Sequence, residues 1–194
     1  MKNTFLWVVV AIVVVLALWL GGAYNGFISS DQAVQAAWAD VQGQYQRRAD
    51  LVPNLVETVK GAAAFETETF TAVTEARAKA TSLTVNPASL DPASIAAYQS
   101  AQGELSTAIG RLLLVAENYP VLKATEAFRD LQAQLEGTEN RIAVSRRDFT
   151  QAVQTYNTKV KSFPGSFIAS IFGFSEKGYF TAEEGADQAP DVSF

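Results

Sequence analysis

Two carboxylates, Glu136 and Glu139, have the spacing most suited to chemistry, because residues three apart share one face of a helix. In helical bundles such carboxylates bind pairs of metal ions together with histidines. The chain contains no histidine and no cysteine, which excludes the usual zinc sites and the Ser-His and Cys-His catalytic pairs. We therefore predict no metal and no other cofactor.

The interpretation we prefer for Glu136 and Glu139 is that they are solvated carboxylates or partners of Arg141 on the same helix. An enzyme that uses carboxylates alone is the alternative. A pocket that contains both side chains would favour that alternative.

Two charged groups of similar composition lie far apart in the sequence. They are Arg47, Arg48 and Asp50 in the first half of the chain, and Arg146, Arg147 and Asp148 in the second. We interpret them as candidates for ion pairs within the chain or between subunits. Recognition of an anionic partner by the arginines is the alternative, because a guanidinium group can bind a carboxylate or phosphate through two hydrogen bonds.

The overall charge limits the possible partners. The formal net charge is -5 and the isoelectric point is about 4.8. Nucleic acid is bound through clusters of Lys and Arg, so we predict that it is not a partner.

An uncharged segment from Phe5 to Ala23 predicts a transmembrane helix, because at ~1.5 Å per residue it reaches roughly the ~30 Å of the hydrocarbon layer. Trp7 and Trp19 lie near its ends and Tyr24 follows it, as expected of aromatic residues at membrane interfaces. A cleaved signal peptide is the alternative. It is disfavoured because only Lys2 precedes an apolar segment that is long for a signal peptide.

Apolar residues at helical spacing predict an all-α fold, an elongated antiparallel bundle of about four helices. One such stripe contains Val34, Trp38, Val41 and Tyr45, and we assign Trp38 to the core. The predicted helices cover residues 30–49, 53–82, 92–117 and 121–161.

Prolines and their neighbours mark the predicted helix ends. We place the first corner at Asp50 to Pro53, where Asp50 can cap a new helix and Pro53 lies in its first turn. The second corner is at Asn118 to Pro120. A continuous helix from the anchor into the bundle is the alternative, because only Gly21, Gly22 and Gly26 oppose it.

The predicted domain organisation has four parts. They are an N-terminal tip at 1–4, the anchor at 5–23, the bundle at 24–162, and an amphipathic segment with an extended tail at 163–194. The amphipathic segment carries the candidate interaction residues Phe167, Ile168, Ile171 and Phe172. It either closes one end of the bundle or contacts a membrane or another subunit. We predict a homo-oligomer to which Phe167, Ile171 and Phe172 contribute a contact.

Several separated motifs resemble the LemA family of bacterial membrane proteins over nearly the whole chain. They are "AWADVQGQYQ", "RRADLVPNLVETVKG", "LEGTENRIAVSRRDF" and "VQTYNTKVKSFPGSFIA". The resemblance implies an N-terminal membrane segment and a helical domain. Asp148-Phe149 stands where the family often has Tyr-Asn, and Thr125 where Asn is common, so no polar role is carried over to these positions.

The distribution of positive residues and the resemblance to the LemA family predict opposite orientations of the chain in the membrane. Lys2 precedes the apolar segment and Arg47 is the first positive residue after it, so the positive-inside rule places the N-terminus in the cytoplasm and the bundle outside. The resemblance implies a short N-terminus outside. We follow the charges and expect a single-pass protein of the cell membrane.

These observations favour a non-enzymatic, membrane-anchored scaffold or adaptor that acts as a homo-oligomer. Genes of LemA-like proteins often accompany membrane proteases or other envelope proteins. The resemblance therefore implies an adaptor of the bacterial envelope whose partners include membrane lipid, envelope proteins or a membrane protease. A lipid-binding or membrane-remodelling assembly is the alternative function.

Overall fold

The computed structural model describes residues 2–63 and 66–181, and within these ranges every regular element is helical. The six helices are α1 (Lys2–Lys60), α2 (Thr67–Ser82), α3 (Pro92–Glu117), α4 (Pro120–Lys123), α5 (Glu126–Lys161) and α6 (Gly165–Phe172). The all-α prediction is confirmed. The predicted tip residue Met1 and the tail from Ala182 to Phe194 lie outside the described residues.

The longest element, α1, has 59 residues and is therefore about 90 Å long. It joins the apolar N-terminal segment to the bundle without interruption, so the predicted helix start near residue 30 is wrong and the continuous alternative is right. Gly21, Gly22 and Gly26 do not break it. A glycine costs a helix only about 1 kcal/mol relative to alanine, and near these glycines α1 is packed against α6 at Tyr24 and against α5 at Gly26.

The predicted corner at Asp50 to Pro53 is also wrong, because Pro53 lies inside α1. A proline within a helix lacks the N–H that would bond the carbonyl four residues earlier, here that of Ala49. Arg77 of α2 replaces that donor: its Nε lies 2.7 Å from the Ala49 carbonyl oxygen. Asp50 accepts a hydrogen bond from Gln46 of the same helix. The chain instead turns after Lys60, and residues 64 and 65 of the predicted second helix lie outside the described residues.

The third helix has the predicted bounds. Asp91 accepts hydrogen bonds from the Ser94 N–H at 2.9 Å and the Ser94 hydroxyl at 2.6 Å, and Pro92 occupies the first turn. These bonds hold the pKa of Asp91 below its ordinary value. The last long helix starts at Glu126, later than predicted, because Pro120–Lys123 forms a separate short helix and Thr125 caps α5.

Two hydrophobic cores follow one another along the bundle, in which α5 runs antiparallel to α1 and α3 antiparallel to α2. The span-side core, next to the apolar segment, contains the fully buried Val34, Trp38, Val41, Ile95, Phe149 and Val153 together with Phe27, Tyr45, Tyr98 and Ile168. The distal core contains Leu51, Leu55, Val59, Val73, Leu105, Leu112, Leu122 and Leu135. Trp38 is a core residue, as predicted.

Candidate functional site

A polar layer separates the two cores at the middle of the bundle. Arg48 of α1 is 2% exposed. Its Nη1 lies 2.8 Å from Glu139 Oε1 of α5, and its Nη2 lies 2.8 Å from both the carbonyl and the side-chain oxygen of Gln102 of α3. The Gln102 amide donates to the Ala80 carbonyl of α2 at 3.3 Å. The layer therefore joins four helices at one level.

The contacts of this layer hold the helices together. Arginine stays protonated in proteins, so Arg48 cannot transfer a proton, and a charge buried between helices favours the one register that gives it its partners. The Tyr45 ring lies 5.0 Å from the guanidinium carbon. Burial is the main cause that raises the pKa of nearby Tyr98 to about 12, so this phenol remains protonated at neutral pH.

The paired carboxylates have separate partners. Glu139 is ion-paired with Arg48 of α1, and not with Arg141 of its own helix as one interpretation expected. Glu136 accepts a hydrogen bond from Gln132 at 3.1 Å. A groove of about 450 Å³ between α3 and α5 does contain both carboxylates. Among the described residues, however, no three His, Cys, Asp or Glu side chains come close enough to hold a metal ion.

The first charged group is divided between the interior and the surface. Arg48 is buried in the polar layer, and Asp50 is exposed and bonded to Gln46. Arg47 lines a surface groove together with Asp130 of α5.

The second charged group lies on the α5 surface. The Arg146 guanidinium carbon lies 4.8 Å from the centre of the Phe180 ring. Arg147 lines the same groove as Arg146, and Asp148 lines another groove together with Asp40. In residues 2–63 and 66–181, no ion pair connects this group with the first one.

The segment from Gly173 to Thr181, which we call the strap, has contacts that the sequence did not indicate. Lys177 is 5% exposed, and its Nζ lies 2.8 Å from Asp31 Oδ1 of α1 and 3.3 Å from the Ala88 carbonyl oxygen. The Asn157 side chain exchanges two hydrogen bonds with the Lys177 backbone, at 2.8 and 2.9 Å. A lysine is almost never fully buried unless it is paired. Here the partner is Asp31 of α1, which is distant in the sequence.

The end of the strap is held just as closely. The Gly178 N–H donates to the Leu90 carbonyl at 2.8 Å, and a Cβ at Gly178 would lie 2.7 Å from Pro92 Cα, so no larger residue fits. The Gln99 side chain donates to the Thr181 carbonyl at 2.8 Å and accepts from the Thr181 N–H at 3.1 Å. The strap is therefore packed against the bundle as far as Thr181.

Phe180 of the strap completes the aromatic part of the span-side core. Its ring centre lies 5.9 Å from that of Trp38 and 5.4 Å from that of Phe149. The only sequence signal for the strap was the recurrence of Phe174, Lys177 and Phe180 at every third position. The side chains that they contact lie 20 or more residues away in the sequence, so this signal could not indicate them.

The four candidate interaction residues are divided by α6. Ile168 is 1% exposed and belongs to the span-side core, whereas Phe167, Ile171 and Phe172 are 63%, 58% and 49% exposed. The Phe172 ring lies 4.9 Å from Tyr24 of α1. The helix therefore packs against α1 at the end of the apolar segment, with one face left uncovered.

One helix among the described residues is long and apolar enough to cross a membrane. It is α1, whose most apolar window of 18 residues has a mean hydropathy of 2.7 and is not buried by any other part of the chain.

Comparison with known proteins identifies related chains. The chain is 27% identical to Magnetosome protein MamQ 2 of Paramagnetospirillum magneticum in an alignment 185 positions long, and the match covers 84% of this chain and 66% of that protein. It is 22% identical to Protein LemA of Metamycoplasma hominis over 163 residues, which cover 84% of this chain and 71% of that protein. The match thus spans slightly less than two thirds of the length of the MamQ relative. Residues 37–194 match the sequence profile of the LemA family, and the chain belongs to that family.

Proposed function

We propose that this protein is a membrane-anchored, non-enzymatic scaffold or adaptor of the bacterial envelope. The observation that carries the proposal is the continuity of α1, which contains both the apolar segment and the first helix of the bundle. A bundle joined to its anchor by one helix, without a flexible linker, is held at a set distance from the bilayer. From Tyr24 to Lys60 this helix extends about 55 Å, so the far end of the bundle lies well away from the lipid.

The use made of the buried charges supports a scaffold over an enzyme. Within the described part of the chain, Arg48 and Lys177 are the buried basic side chains, and each is paired with a carboxylate from another helix or segment. These pairs connect α1 to α5 and the strap to α1.

We propose that the N-terminus is cytoplasmic and the bundle lies outside. Lys2 precedes the span and Arg47 is the first positive residue after it in the sequence, so the positive-inside rule supports this orientation. Orientation is tested with Val121→Cys, because Val121 is 84% exposed and the chain has no other cysteine. A membrane-impermeant maleimide should label it in intact spheroplasts.

Partner binding is tested with a photo-crosslinking amino acid at the distal end of the bundle. Val121 and Leu114 are 84% and 63% exposed, whereas the neighbouring Leu122 is 5% exposed and serves as the matched control. In native membranes the two exposed positions should yield defined protein adducts, identified by mass spectrometry, and Leu122 should not. Crosslinking that is equal at all three positions would contradict an adaptor surface.

We also propose that the protein acts as a homo-oligomer. Confinement to a bilayer raises the effective concentration of copies, so that a modest interface can hold them together. Mass measurement of the full chain in lipid nanodiscs and in mild detergent tests this. A monodisperse monomer in both would contradict it.

Lipid binding is the second candidate function, favoured by the uncovered apolar face of α6. That face is open to lipid or to another copy of the chain, and its position beside the span supports lipid.

A further inference from the structure

Four exposed apolar side chains, three on the uncovered face of α6 and one in the turn before it, form a surface that we call the foot: Phe167, Ile171, Phe172 and Phe163. Their exposed fractions are 63%, 58%, 49% and 88%. The opposite face of the same helix, with Ile168 and Ala169, is buried in the span-side core. The helix is thus held firmly on one side while large apolar side chains remain in contact with solvent on the other.

The foot lies beside the end of the apolar segment that continues into the bundle. Phe172 contacts Tyr24, and Phe163 shares an apolar cavity of about 320 Å³ with Trp19. Trp19 and Tyr24 are the aromatic residues that the sequence places at the membrane interface. Phe163 and Phe172 therefore lie at the same depth as the interfacial residues of the span.

The connection between α5 and α6 keeps the foot in this position. A Cβ at Gly165 would lie 2.2 Å from the Lys159 carbonyl oxygen and 3.4 Å from the Phe27 ring, so the turn is as tight as a glycine permits. Phe174, just after α6, stacks on Phe27 with ring centres 4.8 Å apart. Contacts at both ends of α6 thus join it to the α1 segment that emerges from the apolar span.

The chemistry of the foot identifies its occupant. The residues of α6, from Gly165 to Phe172, carry no charge. The flanking Lys159 and Lys161 make polar contacts within the chain, with Ser30 and Glu176, so the part of the foot that faces outward is apolar. An uncharged amphipathic helix that continues the surface of an exposed apolar span is suited to the boundary between headgroups and acyl chains.

Building on the proposed anchor, we propose that α6 lies in the bilayer interface next to the spanning helix, as a second and independent contact with lipid. A span alone leaves the bundle free to rotate and tilt about one axis. A second contact beside it sets which face of the bundle points toward the membrane. The contact is apolar, so it does not require anionic headgroups.

The experiment uses the full chain, whose lack of cysteine allows single labels. Phe167→Cys and Ile171→Cys are labelled with an environment-sensitive fluorophore and reconstituted into phosphatidylcholine vesicles that contain spin-labelled lipids as quenchers. Val13→Cys, in the apolar segment, reports the anchor, and Val121→Cys, at the far end of the bundle, is the aqueous control. Far-UV circular dichroism establishes that each variant is as helical as the parent chain.

We expect quenchers near the headgroups to remove most of the fluorescence at positions 167 and 171, deep quenchers to act at 13, and neither to act at 121. Adding phosphatidylglycerol should leave this pattern unchanged. The inference is overturned if 167 and 171 behave like 121 while 13 is quenched, or if their quenching requires phosphatidylglycerol. Disulfide-linked dimers of unlabelled Ile171→Cys, together with no lipid quenching of the labelled variant, would assign the foot to a second copy. Loss of quenching at 13 alone would instead contradict the proposed anchor.

Discussion

The Arg77 Nε of α2 lies 2.7 Å from the Ala49 carbonyl oxygen of α1, the carbonyl that Pro53 leaves without its helical donor. A carbonyl buried without a partner costs about 1–3 kcal/mol. Ala49 is 2% exposed, so the arginine from the neighbouring helix removes that cost and permits a proline inside a long helix. One hydrogen bond therefore explains why α1 continues where the sequence predicts a corner.

Arg77→Ala should lower the free energy of unfolding by about 1–3 kcal/mol, because it leaves the Ala49 carbonyl unsatisfied. Denaturant unfolding of the full chain, followed by circular dichroism, measures this. In a Pro53→Ala background the helix supplies its own N–H, so the cost of Arg77→Ala should be smaller. An equal cost in both backgrounds would show that Arg77 acts independently of the proline.

Glu139→Gln should destabilise the bundle, because it removes the negative charge that faces buried Arg48. The Glu139 side chain is 45% exposed, so we expect about 1–2 kcal/mol, below the ~3–5 kcal/mol of breaking a fully buried pair. Glu136→Gln is the matched control, since Glu136 has no cationic partner among the ion pairs of the described residues. Thermal unfolding of both variants tests the difference, and equal stabilities would argue against the polar layer.

Replacing Glu136 and Glu139 together by Gln should leave the metal content of the purified protein unchanged. The two carboxylates share a groove but have no histidine to complete a ligand set. Elemental analysis of wild type and double variant measures this. Stoichiometric iron, manganese or zinc that is lost in the variant would favour the carboxylate enzyme.

Gly178→Ala should release the strap, because the added Cβ would lie 2.7 Å from the Pro92 backbone. We expect a loss of about 1–3 kcal/mol, as for other overpacked sites. Gly137→Ala is the control: nothing lies within 4 Å of a Cβ there, so it should stabilise α5 by up to about 1 kcal/mol. Limited proteolysis compares the cleavage rates of the two variants. Cleavage between Gly173 and Thr181 should accelerate in Gly178→Ala only, and unchanged cleavage would contradict the tight packing of the strap.

Caps and prolines predicted helix ends correctly where no tertiary contact changes their effect. Asp91 and Pro92 define the start of α3 because a cap and a first-turn proline both favour the same residue. Pro53 misled the prediction because its effect depends on Arg77, which lies 28 positions from Ala49. A helix end can therefore be predicted from its capping residues, whereas tertiary contacts decide whether a helix continues through a proline.

The candidate site was less predictable. Periodicity grouped Ile168 with its apolar neighbours, but it cannot indicate that Ile168 is buried while Phe167 is exposed. The strap depends on Asn157 and Gln99, polar residues whose amide groups bond backbone far away in the sequence. Such pairs have no local pattern, so only the assembled bundle reveals them.

The apolar span and the first helix of the bundle are one continuous helix, and a single distance tests this continuity. Val13→Cys and Gly43→Cys, 30 positions apart in α1, are spin-labelled together in the full chain and reconstituted into lipid nanodiscs for pulsed electron paramagnetic resonance. A continuous helix predicts one narrow distribution centred at about 45 Å. A broad distribution, or one centred well below that distance, would place a break at the glycines near residue 22 and contradict a continuous α1.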